Sequence, residues 1–433
     1  MGVFKFSPED FLFTCLGLVL LLLDIVLDIV AVWDFYREED YATLCILLLL
    51  LVGSSVLVQA FSWLWYSYED EDQRQTTVDK CLSPFMLKFL HVLQLGMYLR
   101  HAGVVELSLC RSSSDIREAV AVYQSHDLSM LRLIETFSES APQLVLMLTI
   151  MLQSGELGPV TVLKACGSAS AIAFSVTMYH RSLRSFLPDK EKQRMMSSAV
   201  YFLWNLLLIS SRLAALALFA SVLPCFVFAH FFCSWIVLFF FAWWSETDFM
   251  DSPCGEWLYR ATVGLIWYFD WFNVADGRTR YRTLLYHGYM LVDIFLLCSL
   301  WCWKMSPDPP YLEIPPLYAV ITAVSVVAAY ILGLLLKMLY YRCYHPNLAK
   351  EELKGDATVG QGPTMLTTFS GDEPDSSISS AANEVPEEIH LQCISLNEDL
   401  DTDVANRSGP GAPAPDLKRC NKRMRKLAEN FYS

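Results

Sequence analysis

The sequence predicts an all-α, polytopic membrane protein: eight transmembrane helices plus two re-entrant helices in two repeats, followed by a disordered cytosolic C-terminal tail. Three observations predict it. Apolar residues make up 54% of the 433-residue chain, more than the roughly 45–50% of a soluble protein even with glycine counted, and they are concentrated before residue 346. Several runs reach the length of about 18 or more apolar residues that a bilayer span needs. After Lys354 the composition turns to Gly, Ser, Pro, Asp and Glu with few aromatics, which cannot bury enough apolar surface to fold.

Helical segments are expected near 11–33, 42–66, 85–99, 127–152, 159–179, 198–221, 222–244, 257–275, 284–303 and 315–341. The first begins almost at the N-terminus and carries no small-residue cleavage site, so no cleavable signal peptide is expected. The third, between Pro84 and Arg100, is too short to span and reads as re-entrant or interfacial. The eighth holds Arg260, Asp270 and Asn273 and reads the same way. Each is the third in a group of five, hence the expectation of an N-terminal repeat over 1–180, a basic cytosolic linker over 181–197, a C-terminal repeat over 198–346 and a regulatory tail over 347–433. With the N-terminus in the cytosol, the basic residues of the 180–196 loop, Arg278, Arg280, Arg282 and those of 337–350 all fall inside. The outer loops keep only Arg37 and Lys304, which is the positive-inside asymmetry and puts both termini in the cytosol.

Charges lie inside these runs. Asp24 and Asp28 are one turn apart in the first; Arg132, Glu135, Glu139 and Gln143 follow one another along the fourth; Arg212 and Asp293 sit within two later runs. A charge at bilayer depth costs about 2.5–3.5 kcal/mol on insertion scales, so such groups face a partner, a cavity or a polar path. The acids could be paired with Arg132 and Arg212 simply to fix helix register. Alternatively they form a polar ladder between helices along which a hydrated headgroup crosses, the acids attracting a cationic group and the arginines a phosphate. A cation or proton pathway fits the same acids.

Other chemistry is not visible. The 13 cysteines lack metal-ligand or paired spacing and read as small apolar packing residues, so neither a disulfide framework nor a metal site is expected. There is no nucleotide-binding glycine loop, HExxH or GxSxG, so no bond-making reaction and no cofactor is expected. The net charge of −14 argues against nucleic acid as a partner.

The run Asp127–Gly155, DLSMLRLIETFSESAPQLVLMLTIMLQSG, resembles the XK-related protein family, as do YFLWNLLL at Tyr201–Leu208, EWLYR and FNVADGRT between Glu256 and Thr279, and LYYRCYHP at Leu339–Pro346. The resemblance covers residues 11–346 in order. It implies eight spans plus two re-entrant helices, a plasma-membrane location, and ATP- and calcium-independent scrambling of phospholipids (phosphatidylserine, phosphatidylcholine and phosphatidylethanolamine). Such scrambling exposes phosphatidylserine on dying cells. It implies that Asp24, Asp28, Glu135, Glu139, Arg212 and the Gln143 region are polar membrane positions of that activity. It also implies association with a single-span immunoglobulin-type chaperone of the basigin or neuroplastin kind.

A scramblase needs a trigger, and the tail supplies a candidate. Asp372-Glu373-Pro374-Asp375 followed by Ser376 fits the site cut by executioner proteases of the caspase-3 type: the cut-site carboxylate suits a bidentate arginine pocket, and a polar tail is accessible. Asp401, at the end of Glu-Asp-Leu-Asp, is a weaker second site. Beyond the cut, Leu417–Tyr432 carries Lys418, Arg419, Lys422, Arg423, Arg425 and Lys426 with apolar residues following. It reads as a basic amphipathic helix that docks on the cytosolic face as a tethered inhibitor. Formation of a homodimer after cleavage is a further partner expectation. The rival functions are a solute or ion transporter with an acidic pathway, and a membrane scaffold for a single-span glycoprotein.

Overall fold

The computed structural model describes residues 8–68, 76–109, 115–155, 159–186, 193–245, 247–274, 280–306 and 315–344. All the regular structure among them is helical: α1 (Pro8–Arg37), α2 (Tyr41–Tyr68), α3 (Thr77–Lys80), α4 (Pro84–Val92), α5 (Gly96–Leu109), α6 (Asp115–Glu135), α7 (Ala141–Ser154), α8 (Pro159–Phe186), α9 (Met195–Val222), α10 (Pro224–Trp244), α11 (Pro253–Trp267), α12 (Arg280–Met305) and α13 (Pro316–Leu339). Among the described residues seven helices (α1, α2, α8, α9, α10, α12 and α13) are long and apolar enough to cross a membrane, so this is a multi-pass membrane protein. The tail sites at Asp372–Ser376 and Asp401 and the basic stretch 417–432 lie outside the described residues.

Helix ends follow local chemistry. Ser83 caps α4 by accepting from the Met86 N–H at 3.3 Å, and Ser252 caps α11 by accepting from Gly255 at 3.1 Å. Proline occupies the first positions of α4, α10, α11 and α13, where its missing N–H costs nothing. Asp40 accepts from the Thr43 N–H at 3.2 Å ahead of α2, and the hydrogen bonds from Thr43 hold its carboxyl below the usual aspartate range. Gly155 closes α7 in the left-handed region, with φ of 71°.

Three expected segments differ in detail. The stretch expected as one short helix over 85–99 is two helices, α4 and α5, broken where Gln94 takes φ of 64°. The expected span over 127–152 begins earlier, at Asp115, and is divided by a π turn over Thr136–Ser140. Pro142 explains the turn. Its ring would clash with the carbonyl four residues back, Ser138, and it cannot donate there; a wider i→i+5 turn relieves both. The helix expected near 257–275 starts at Pro253 and stops at Trp267, where the chain continues without regular structure to Val274.

The core is built on α9, which is buried on nearly all sides from Trp204 to Val222 and packs against α7, α8, α10, α12 and α13. Close approach depends on glycine at Gly264, where an added Cβ would meet the Phe239 backbone at 3.1 Å, and at Gly333, where it would meet Leu208 at 2.8 Å. In contrast α1 sits at the edge, touching mainly α2 and α8, with most of its apolar side chains exposed to the surroundings.

The α4–α5 break is locked from α2. Gln59 donates to the Gln94 carbonyl at 3.0 Å and accepts from the Gly96 N–H at 3.0 Å, while Ser62 bonds His91 at 3.0 Å. A Cβ on Gly96 would fall 2.4 Å from the His91 ring and 2.5 Å from Gln59. Gly96→Ala should therefore destabilise the detergent-solubilised protein by about 1–3 kcal/mol, read as a lowered thermal midpoint. Gly53→Ala, which meets nothing within 4 Å, should be neutral or mildly stabilising. Equal midpoints for the two variants would contradict this packing.

Candidate functional site

The first half of the chain brings together Asp24, Asp28, Arg132, Glu135, Glu139 and Gln143. Asp24 and Asp28, on α1, face the rod formed by α6, the π turn and α7. Ser140 donates to Asp24 at 3.3 Å, and the Gln143 amide donates to Asp28 at 2.7 Å. Arg132 donates to Glu135 at 2.7 Å within α6. Asp28 and Glu139 are each only 8% exposed, so neither can rely on bulk water for solvation.

These residues line two spaces that meet at Asp28. The larger, about 670 Å³, is a groove along the whole of α1 between α6, α7 and α8. Asp24, Asp28, Arg132, Ser140 and Gln143 line its middle, with Asp34, Glu38 and Lys164 toward one end and Ser125 and Ser182 toward the other. The smaller, about 310 Å³, lies on the α2 and α5 side of α1. It is lined by Asp28, Glu135, Glu139, Ser55, Gln59, Gln94 and Tyr98 among others. Most other groove walls are leucine, isoleucine, alanine and methionine side chains. The arrangement is a polar row set into an apolar cleft beside a loosely packed helix. Ionised or dipolar groups have partners there, while hydrocarbon meets hydrocarbon.

A second polar layer, on α2, escapes the sequence reading. Ser55, Gln59 and Ser62 recur at helical spacing on one face of α2, and that spacing was the available signal. Ser55 donates to Gln94 at 2.7 Å, and the Ser54 and Ser138 hydroxyls are bonded at 2.7 Å, tying α2 to the π turn. Beyond Ser62, Arg100 reaches Asp127 at 3.2 Å and stacks 4.0 Å from the Tyr66 ring centre, so this buried charge pair joins α5, α6 and α2.

Arg212 and Asp293 lie elsewhere. Arg212, 1% exposed at the centre of α9, pairs with Asp293 of α12 and donates to the Tyr268 carbonyl at 3.0 Å. His230 of α10 bridges the other Asp293 oxygen, at 3.1 Å, and the Tyr268 hydroxyl, at 2.9 Å. Both carboxylate oxygens of Asp293 are thus occupied, and neither residue lines the two cavities above. This network clips α9, α10 and α12 to the chain leaving α11, with the Nη2 of Arg212 buried and unmatched among the described residues.

The family model described as XK-related protein matches residues 12–346. The chain belongs to the XK-related family. Among curated relatives it is 46% identical over 374 residues to the XK-related protein 8 of Tetraodon nigroviridis, covering 85% of this chain and 91% of the relative. It is 46% identical over 352 residues to that of Gasterosteus aculeatus (79% and 86% covered), and 38% identical over 348 residues to that of Pan troglodytes (78% and 85% covered). The XK-related match contains every one of the membrane-depth charges described above and stops before the tail.

The Arg212–Asp293 network makes a direct test of the difference between bracing and lining. Removing one member of a buried charge pair strands the other, at a cost of about 3–5 kcal/mol, whereas replacing both with apolar residues recovers much of it. Arg212→Met and Asp293→Leu should each sharply lower the unfolding midpoint in detergent, and the double variant should lose clearly less than the sum of the singles. Strictly additive losses would mean that the two side chains act independently.

Proposed function

We propose that this protein is a caspase-released phospholipid scramblase of the plasma membrane that exposes phosphatidylserine on dying cells. The observation that carries the reading is the groove beside α1. Its middle is a row of Asp24, Asp28, Arg132, Ser140 and Gln143, and its flanks are open to hydrocarbon. A headgroup carrying a phosphate and an ammonium needs both signs of partner, and the row offers them within a few turns of helix. Glu135 and Glu139 extend it on the α2 side. Arg212 and Asp293 serve in this reading as the brace that holds the second half rigid while lipid moves along the first. Kinship to XK-related protein 8 supports the same function.

In this reading α6, the π turn and α7 together form the eighth span, while α4–α5 and α11 are the two re-entrant elements of two repeats. Both termini lie in the cytosol. Cleavage after Asp375 releases the segment bearing Lys418, Arg419, Lys422, Arg423, Arg425 and Lys426 and so removes a tethered inhibitor, whose high effective concentration kept the closed state. A basigin- or neuroplastin-type single-span protein assists delivery to the surface, and two cleaved copies associate.

Exchange of fluorescent phosphatidylserine and phosphatidylcholine in liposomes holding the full chain tests this. Exchange should appear only after caspase-3 treatment, stay absent in Asp375→Ala, and fall to background in cleaved Asp28→Asn/Glu139→Gln. Ion current or solute flux without lipid movement would instead favour a transporter. Unchanged exchange in the carboxylate variants would remove the polar row from the mechanism.

A further inference from the structure

His101, on α5, is 5% exposed, and neither of its ring nitrogens has a hydrogen-bond partner among the described residues. Such an orphan is rare, because a buried imidazole that only filled space would be better replaced by phenylalanine. His101 lines the α1 groove, whose walls also include Ser125, Ser129 and Arg132 of α6 and Asp24 of α1. Ser129 has already given its proton to the His126 carbonyl at 2.8 Å. Arg132 gives one guanidinium nitrogen to Glu135 and is itself a lining residue of the groove. The Asp24 and Asp28 carboxylates line the same groove and answer the guanidinium's charge from α1, while both imidazole nitrogens of His101 stay unmatched among the described residues. A phosphodiester oxygen is the acceptor that suits both, since a guanidinium grips it through several N–H groups and either imidazole tautomer offers one more.

We infer that His101 and Arg132 form a phosphate-holding step in the groove, on the side of Asp24 that leads toward Ser125 and Ser182. There the phosphodiester of a phospholipid headgroup is gripped while its ammonium is left to Asp24 and Asp28. This rests on the scrambling reading for its role but not for its existence, because a binding step can be measured without transport. With α1 starting in the cytosol, the step lies in the cytosolic half of the groove and is the first to meet inner-leaflet lipid. His101 is a substrate-positioning residue; Asp24 and Asp28 stay the partners of the amine.

Thermal shift of the full detergent-solubilised chain with a short-chain phosphatidylcholine, with octyl glucoside and with inorganic phosphate separates the possibilities. The phospholipid should stabilise the wild type. His101→Leu should lose most of that shift, with about tenfold weaker apparent affinity, the factor expected for one lost hydrogen bond to a charged group. His101→Gln, which keeps an N–H donor, should restore it, and octyl glucoside should act alike on all three. In liposomes, caspase-treated His101→Leu should exchange phospholipid about tenfold more slowly than His101→Gln. Equal shifts for Leu and Gln, or an equal loss with octyl glucoside, would reduce His101 to packing and overturn the assignment. Inorganic phosphate alone reproducing the full shift would make the site one for free anions and overturn the lipid assignment. A phospholipid shift that depends on His101, in a protein that never exchanges lipid, would keep the step while the scrambling reading falls.

Discussion

Carboxylates at bilayer depth must be answered by dipoles or cations from their own protein, and the first half of the fold is organised around that demand. Water cannot be relied on at Asp28 and Glu139, and the nearby cation Arg132 is already engaged by Glu135. Neutral groups add hydrogen bonds, among them the Gln143 amide on Asp28 and the Ser140 hydroxyl on Asp24. Those two donors are reachable because Pro142 forces the wide turn over Thr136–Ser140, which re-aims the side chains beyond it. The helix imperfection and the acid cluster are therefore one feature. A regular helix through this stretch would present the donors in a different register from the acids they serve.

The spans were legible in the sequence because hydropathy is a sum over many residues and survives local exceptions. The exceptions were not. The α4–α5 break falls at Gln94, a residue with no special tolerance for positive φ, and it is held by Gln59 and Ser55 from another helix. Only Gly96, two residues later, hints at it, and glycine within a helical pattern usually has a milder meaning. Pro142, in the middle of the helix expected over 127–152, was a visible signal of the divided rod.

At the site, spacing identified which charges mattered and tertiary contact decided how they group. Asp24 with Asp28, and Glu135 with Glu139, read alike as pairs one turn apart. In the fold the α1 pair faces the Ser140–Gln143 donors, and the second pair lines the α2 and α5 side, with Glu139 reaching back to Asp28. Arg212 and Asp293 resemble the others in sequence yet belong to a separate network, because His230 and the Tyr268 carbonyl are supplied by residues far along the chain. His101 had no signal at all: a lone histidine in a short apolar stretch acquires meaning only when both its nitrogens are seen to be unmatched beside a groove.

Buried charge around Asp293 and buried charge beside α1 are thus treated in opposite ways. In the second half Asp293 meets one arginine, one histidine and no rival acid, its oxygens are saturated, and the helices around it, α9 above all, are packed on every side. Such a network resists rearrangement, since moving any member strands the others. Beside α1 the acids outnumber Arg132, the hydrogen-bond donors to Asp24 and Asp28 are neutral, and α1 lies at the edge of the fold, touching mainly α2 and α8. In the scrambling reading, carboxyl groups answered by neutral, replaceable donors form a surface that an incoming ammonium and phosphate satisfy, entering beside a helix at the edge of the fold. Rigidity in one half and replaceable contacts in the other are what that reading requires of a protein that passes a polar headgroup at membrane depth without unfolding.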